Sequence, residues 1–180
     1  QNIDQLKGLL DNENKQICDA ALTLLNYLSI DPKEVDLLKT EDDLFDINHP
    51  YLLIYRLNLL ANLNYQNDMD VLSHLFNSNL YSQLVNNVCN LKKETFAKPE
   101  YFDVLIDTVV DINETGSKIK ELKKAKQNSL KDIVTRSDEA ISSIIDWILD
   151  LETKTPVYYN LVIDFLIILC DLIQIDAKVL

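Results

Sequence analysis

Leu22, Leu25 and Leu28 return 35 residues later as Leu57, Leu60 and Leu63. The stretches that carry them, "KGLLDNENKQICDAALTLLNYLSID" (7–31) and "HPYLLIYRLNLLANLNYQ" (49–66), both end in a short polar tail, and Leu24 falls on Leu59 and Ser29 on Asn64. A spacing of three puts such leucines on one face of a helix. Each stretch follows another apolar segment and a polar turn, "IDQLKGLL" before the first and "PKEVDLLK" before the second. A lone helix of this type cannot bury its own apolar surface, so a chain that repeats it is expected to stack the copies.

Two further units can be placed. A third long helix is read at "PEYFDVLIDTVVDIN" (99–113), after "MDVLSHLF" and "SQLVNNVCNL". A fourth is read at "VYYNLVIDFLIILCDLI", after "SKIKELKKAKQNSLKDIV" and "DEAISSIIDWILDL". Proline and capping residues mark the starts: Asp31-Pro32 reads as an N-cap and a first-turn proline, with Lys98-Pro99 and Thr155-Pro156 as weaker cases and Ser137 as half a capping box. Gly116 is read as the break after the third long helix, and the sequon Asn113-Glu114-Thr115 as an inert loop. With only two glycines and four prolines in 180 residues, a sheet protein with its tight hairpin turns is disfavoured and an all-α chain expected.

A short helix, a second helix and a longer third one, with the pattern LL, polar turn, A-L-x-x-L-x-N-L, resembles the armadillo repeat. The resemblance is architectural and spans most of the chain. It implies a right-handed α-solenoid of about four irregular armadillo-like helical repeats, forming one domain over 1–180. The spacing of the long helices lengthens from unit to unit, "TEDDLFDINH" (40–49) is an insertion, and the turn glycines of typical armadillo units are missing. HEAT-like pairs and an irregular bundle stay open as alternatives.

In such a solenoid the long helices line a shared concave surface. The position just before the last leucine-type residue of each is Tyr27, Asn62, Asp111 and Asp171; one turn earlier stand Thr23, Asn58, Asp107 and Ile167. The armadillo resemblance implies that an asparagine at this ladder position hydrogen-bonds the backbone of an extended peptide, and Asn62 in "LLANL" matches it. Asn58 stands where the importin type has a lysine-clamping tryptophan. Asp107, Asp111, Asp164 and Asp171 make the groove acidic toward the C-terminus, suited to a basic peptide or helix. The plainer reading is that these aspartates only keep exposed faces hydrated.

The charge balance bends the other way in one place. Residues 117–136 carry seven Lys or Arg against two acidic residues in a chain of net charge −12. Ile119, Leu122, Leu130 and Ile133 form an apolar stripe there, and Lys120, Lys123, Lys124 and Lys131 fall outside it. These lysines could meet an acidic protein, phosphates or an anionic membrane, or simply be a solvated face. The overall acidity disfavours general nucleic-acid binding, which draws on cations that displace condensed counterions. Trp147 and the Tyr158-Tyr159 pair could anchor a partner, though their helical spacing favours core packing.

No catalytic chemistry is written. His49 and His74 are the only histidines and neither is read as part of a metal site, which would need three ligands; His49, before Pro50, suits a cap or turn. Phosphate-binding glycine loops and nucleophile elbows are absent. Cys18, Cys89 and Cys170 are far apart, with no disulfide framework or zinc site, and are read as small buried hydrophobes of a reducing compartment.

The last apolar stretch, 157–175, is read as a core helix rather than a membrane span, since Asp164 and Asp171 would each cost about 2.5–3.5 kcal/mol near mid-bilayer. A chain without an initiator Met or a secretory leader is expected to be part of a longer cytoplasmic or nuclear protein, with further repeats or a second copy at its C-terminal face. The function expected is that of a noncatalytic scaffold, adaptor or regulatory subunit, without cofactor or metal. A clamp on a folded chaperone or GTPase, acting as an exchange factor through a broad edge or the 40–49 insertion, is the first alternative, and phosphate or membrane-surface binding by the basic helix 117–136 the second.

Overall fold

Caps decide where the leucine-rich segments begin and end. In the computed structural model, which describes residues 2–136, 138–150 and 158–176 and side-chain surroundings up to 171, α1 (Asn2–Gly8) passes through a 3₁₀ turn at Leu9–Asp11 into an extended link. Asn14 then accepts the Gln16 N–H at 2.9 Å and opens α2 (Lys15–Tyr27). Asp31 does the same for the Lys33 N–H at 3.1 Å, ahead of α3 (Pro32–Thr40) with Pro32 in its first turn. The next helix, α4 (Pro50–Tyr65), ends without glycine: Asn67 takes the left-handed conformation at φ 57°. Its N–H and that of Asp68 then bond back to the Asn64 and Leu63 carbonyls, each at 3.0 Å. Asparagine tolerates this geometry, so it closes the helix as a turn glycine would. Asp68 goes on to cap α5 (Met69–Asn77) through the Val71 N–H at 3.2 Å.

The remaining helices are α6 (Leu80–Asn90), α7 (Glu100–Lys118), α8 (Lys120–Thr135), α9 (Asp138–Asp150) and α10 (Tyr159–Asp176). The chain is all-α, and no strand occurs among the described residues. The four long segments of the sequence repeat, α2, α4, α7 and α10, are consecutive neighbours: α2 lies on α4, α4 on α7 and α7 on α10. Behind them α3 packs on α4 and α5, and α8 touches α5, α6, α7, α9 and α10. Leu22, Leu57, Leu60, Leu105, Val109, Ile112, Leu161 and Phe165 are buried along the row in one continuous core.

The two opening copies are equivalent only in part. Leu22 and Leu25 are buried like Leu57 and Leu60, but Leu24 and Leu28 are exposed where Leu59 and Leu63 are buried. Among the described elements α2 has one long neighbour in the row and α4 has two, so the same pattern meets packing on one side less.

Several local expectations are corrected. Gly116 lies inside α7, and a Cβ there would come within 2.5 Å of the Phe76 ring, so the residue permits close approach to α5 instead of breaking the helix. Asn113, Glu114 and Thr115 are helical, and Asn113 is fully buried. Pro99 stands at the N-cap of α7, not in its first turn. Cys18 is buried and Cys89 nearly so, whereas Cys170 is exposed. Burial pushes the Cys89 thiol up to about 12, leaving it protonated and unreactive at neutral pH.

The 40–49 insertion is a strap with its own anchor. Leu44 and Phe45 are buried, and side chains satisfy the backbone around them. Gln83 accepts both their N–H groups at 3.2 and 3.0 Å, Arg56 donates to the Leu44 carbonyl at 2.8 Å, and Asn87 donates to that of Phe45 at 2.9 Å. The expected caps at Ser137 and Thr155-Pro156 lie outside the described residues. No described helix is long and apolar enough to cross a membrane.

Candidate protein-binding face

The ladder residues all face solvent or its edge. Tyr27 is 86% exposed, and Asn62 and Tyr65 are exposed one turn apart on α4. Asn58 is half-buried because its amide reaches across to Asn26 of α2 at 3.2 Å, tying the first two long helices together on this face. Asn62 spends its backbone carbonyl on the end of α4 and has no side-chain bond among the described residues, so its amide is open to a ligand.

On α7 the face is acidic because its exposed positions, one turn apart, are Asp103, Asp107 and Asp111. Asp107 is raised above the ordinary aspartate range by partial burial and then by the Asp103 carboxylate, against a hydrogen bond from Tyr158. Partial burial, then Asp107 and Glu114, raise Asp111 against the pull of Lys118. Neither Asp107 nor Asp111 has a salt-bridge partner among the described residues. Asp171 is exposed on α10, with Ile163, Leu166 and Ile167 also exposed on that helix.

Asp164 does not belong to this face. Its Oδ2 accepts from the Lys126 ammonium at 2.9 Å and from the Asn113 amide at 2.9 Å. Lys126 is 2% exposed and also bonds the Ser117 hydroxyl at 2.6 Å, while Tyr81 donates to Asn113 at 2.7 Å. Burial, and then the Asp164 charge, hold the Tyr81 phenol well above its usual range, so it stays a donor. This chain of bonds joins α6, α7, α8 and α10 through the core. Sequence reasoning passed over Lys126, yet it carried a signal: four residues from both Leu122 and Leu130, it is the cationic position in the apolar stripe of α8.

The other lysines of α8 behave differently. Lys120, Lys123, Lys124 and Lys131 are exposed, outside the buried stripe of Leu122, Leu130 and Ile133, and form no ion pair among the described residues. The histidines serve loops. His49 stands at the start of α4 without capping it and places Nδ1 3.0 Å from Asp11, and His74 places Nε2 2.8 Å from the Glu41 carbonyl on the strap. Among the described residues no three His, Cys, Asp or Glu side chains are grouped to hold a metal.

Beside the acidic ridge, an open cleft of about 780 Å³ runs between the end of α6, the first half of α7 and α9. Trp147 forms part of its wall, packed edge-on to Phe165 at 6.3 Å between ring centroids. The aromatic expectation is met for Trp147, which is buried; Tyr158 is half-buried and Tyr159 exposed. The cleft was not legible in the sequence, since α9, distant in the chain from α6 and α7, forms its facing wall. No protein-family model, curated protein or solved structure matches the chain.

Proposed function

We propose that the protein is a noncatalytic interaction module, a scaffold, adaptor or regulatory subunit of the cytoplasm or nucleus, that takes a basic peptide or helix along its row of long helices. In this reading α2, α4, α7 and α10 form the inner layer of an irregular, right-handed armadillo-like solenoid. The observation that carries it is the pair Asp107 and Asp111, adjacent on the exposed face of α7 and without a salt bridge among the described residues. A basic segment would relieve their mutual repulsion, so charge complementarity sets both association rate and selectivity. Tyr27, Asn58, Asn62 and Asp171 extend the same surface to either side.

The test is a double charge reversal, Asp107→Lys with Asp111→Lys. Binding to a basic peptide is expected to weaken steeply while helical content stays unchanged. Unaltered affinity would remove the acidic row from the reading.

A second reading rests on Lys120, Lys123, Lys124 and Lys131, four exposed lysines of α8 that lack carboxylate partners. They would meet an acidic protein or a phosphate-bearing surface, with affinity that falls sharply as salt rises. The exposed Ile163, Leu166 and Ile167 of α10 support the further proposal that this face is covered by a second copy or by additional repeats.

A further inference from the structure

Besides Lys92 and Lys93 on the link between α6 and α7, the cleft beside the acidic ridge has two unlike linings. One is aromatic: Phe102 from α7, Trp147 from α9, and Tyr158 ahead of α10. The other is anionic: Asp103 on α7, with Asp146 and Asp150 one turn apart on α9. Asp146 and Asp150 are exposed and have no cation partner among the described residues.

The chain itself shows what such a wall attracts. Lys93 places its ammonium 5.9 Å from the centre of the Phe102 ring and 3.5 Å from the Asp103 carboxylate. Aromatic faces and carboxylates thus already share one cation at the edge of the cleft, while Trp147, Asp146 and Asp150 have none. The indole Nε1–H of Trp147 is buried without an acceptor among the described residues, a donor that a peptide carbonyl and not a cation would satisfy.

We infer that this cleft is the anchoring pocket for an arginine side chain of a basic peptide segment, its guanidinium lying on the aromatic wall and donating to Asp146 and Asp150. The inference rests on the basic-segment reading above and gives it a fixed point. Arginine suits the site better than lysine: its planar group stacks on aromatic rings and offers several donors in a fork that matches carboxylates. A volume of about 780 Å³ lies in the range of ligand clefts and leaves room for flanking backbone beside one side chain. Tyr158, hydrogen-bonded to Asp107, connects the cleft to the acidic row, so one extended segment could occupy both.

The experiment uses a short capped peptide alternating arginine and alanine, with citrulline in place of arginine as the uncharged control. Affinity is read by calorimetry and occupancy of the cleft by emission from Trp147, the single tryptophan of the chain. Saturable binding of the arginine peptide with a shift in Trp147 emission is expected, with no response to the citrulline peptide. The exposed-site variant Asp146→Asn with Asp150→Asn is expected to weaken binding by about tenfold or more. Binding that leaves Trp147 emission unchanged, ignores that variant and is lost in Asp107→Asn with Asp111→Asn would overturn the cleft while keeping the acidic row. Absence of any binding by the wild-type protein would overturn both.

Discussion

Two buried charge networks hold opposite ends of the molecule, and they are built differently. Near the N-terminus Lys7 bonds Asp31 at 3.1 Å and Glu34 at 3.0 Å, with Asp4 at 3.5 Å. Arg56 adds a bond to the other Glu34 oxygen at 3.0 Å and one to the Leu44 carbonyl. Burial alone would lower the Lys7 pKa, but hydrogen bonds and charge from Glu34 and Asp31 outweigh it and hold it high. Every charge there has more than one partner. In the second network Lys126 has, among the described residues, a single anion, Asp164, supported by the neutral groups of Asn113, Ser117 and Tyr81. The comparison teaches that redundancy, more than depth of burial, decides how much one substitution can damage.

The largest effect should therefore fall on the second network. Asp164→Asn leaves the Lys126 ammonium buried without a counterion and is expected to destabilise by about 3–5 kcal/mol in urea unfolding. Lys126→Met should lose less, because the Asp164 side chain is 26% exposed and can turn to water. Equal losses would show that Lys126 and Asp164 depend on each other to the same degree. Glu34→Gln should lose only about 1.5–3 kcal/mol, since Lys7 keeps Asp31 and Arg56 keeps the Leu44 carbonyl. Gly116→Ala separates shape from charge in the same part of the core: the added methyl meets the Phe76 ring, for an expected loss of about 1–3 kcal/mol, part of which Phe76→Leu should restore.

The smallest expected effect is a pH profile that sets the two kinds of carboxylate against each other. Burial pushes the Asp31 carboxyl up, but Lys7 and the Lys33 N–H more than offset it and hold it below the ordinary range. The same competition leaves Asp19 low beside Lys98 and Tyr101, and Asp68 low on the Val71 N–H and Lys39. Their folded values lie below the unfolded one, so their stabilisation is complete above about pH 4 and is lost as pH falls through the folded values. Asp107 and Asp111 have the reverse sign. Their raised folded values mean that ionisation weakens the fold, and this is relieved as pH falls through those values. Stability should rise slightly as pH falls from neutrality through the raised Asp107 and Asp111 values, and drop below about pH 4 as the lowered carboxylates take up protons. In Asp107→Asn with Asp111→Asn, the acid drop should survive and the slight rise should vanish.

What could be read in the sequence follows from the range of each interaction. Helix positions were legible because leucine spacing and caps such as Asp31-Pro32 are local. So was the solvent-facing side of α7, where Asp107 and Asp111 stand one turn apart. Asn113 reads as part of an inert loop because nothing nearby reveals Tyr81 and Asp164, 32 and 51 residues away. Gly116 looked like a break because glycine usually is one; its close fit to Phe76 depends on another helix. Asp164 was assigned to the groove by register alone, and register does not disclose which lysine meets it.

Lys126 also bears on how α8 finds its seat. A helix with a purely leucine stripe can slide by one turn and still bury apolar surface, whereas here a slip would bring Leu122 or Leu130 against Asp164 and push an ammonium among hydrocarbon. The single Lys126–Asp164 pair would then act as an indexing pin against neighbouring alignments, a hypothesis that a variant can test. We expect Lys126→Leu to remain helical yet show several slowly exchanging sets of amide resonances in α8; a single sharp set would refute the pin. On that hypothesis charge in the core specifies alignment, while Asp107 and Asp111, without a salt bridge among the described residues, are left to the surface.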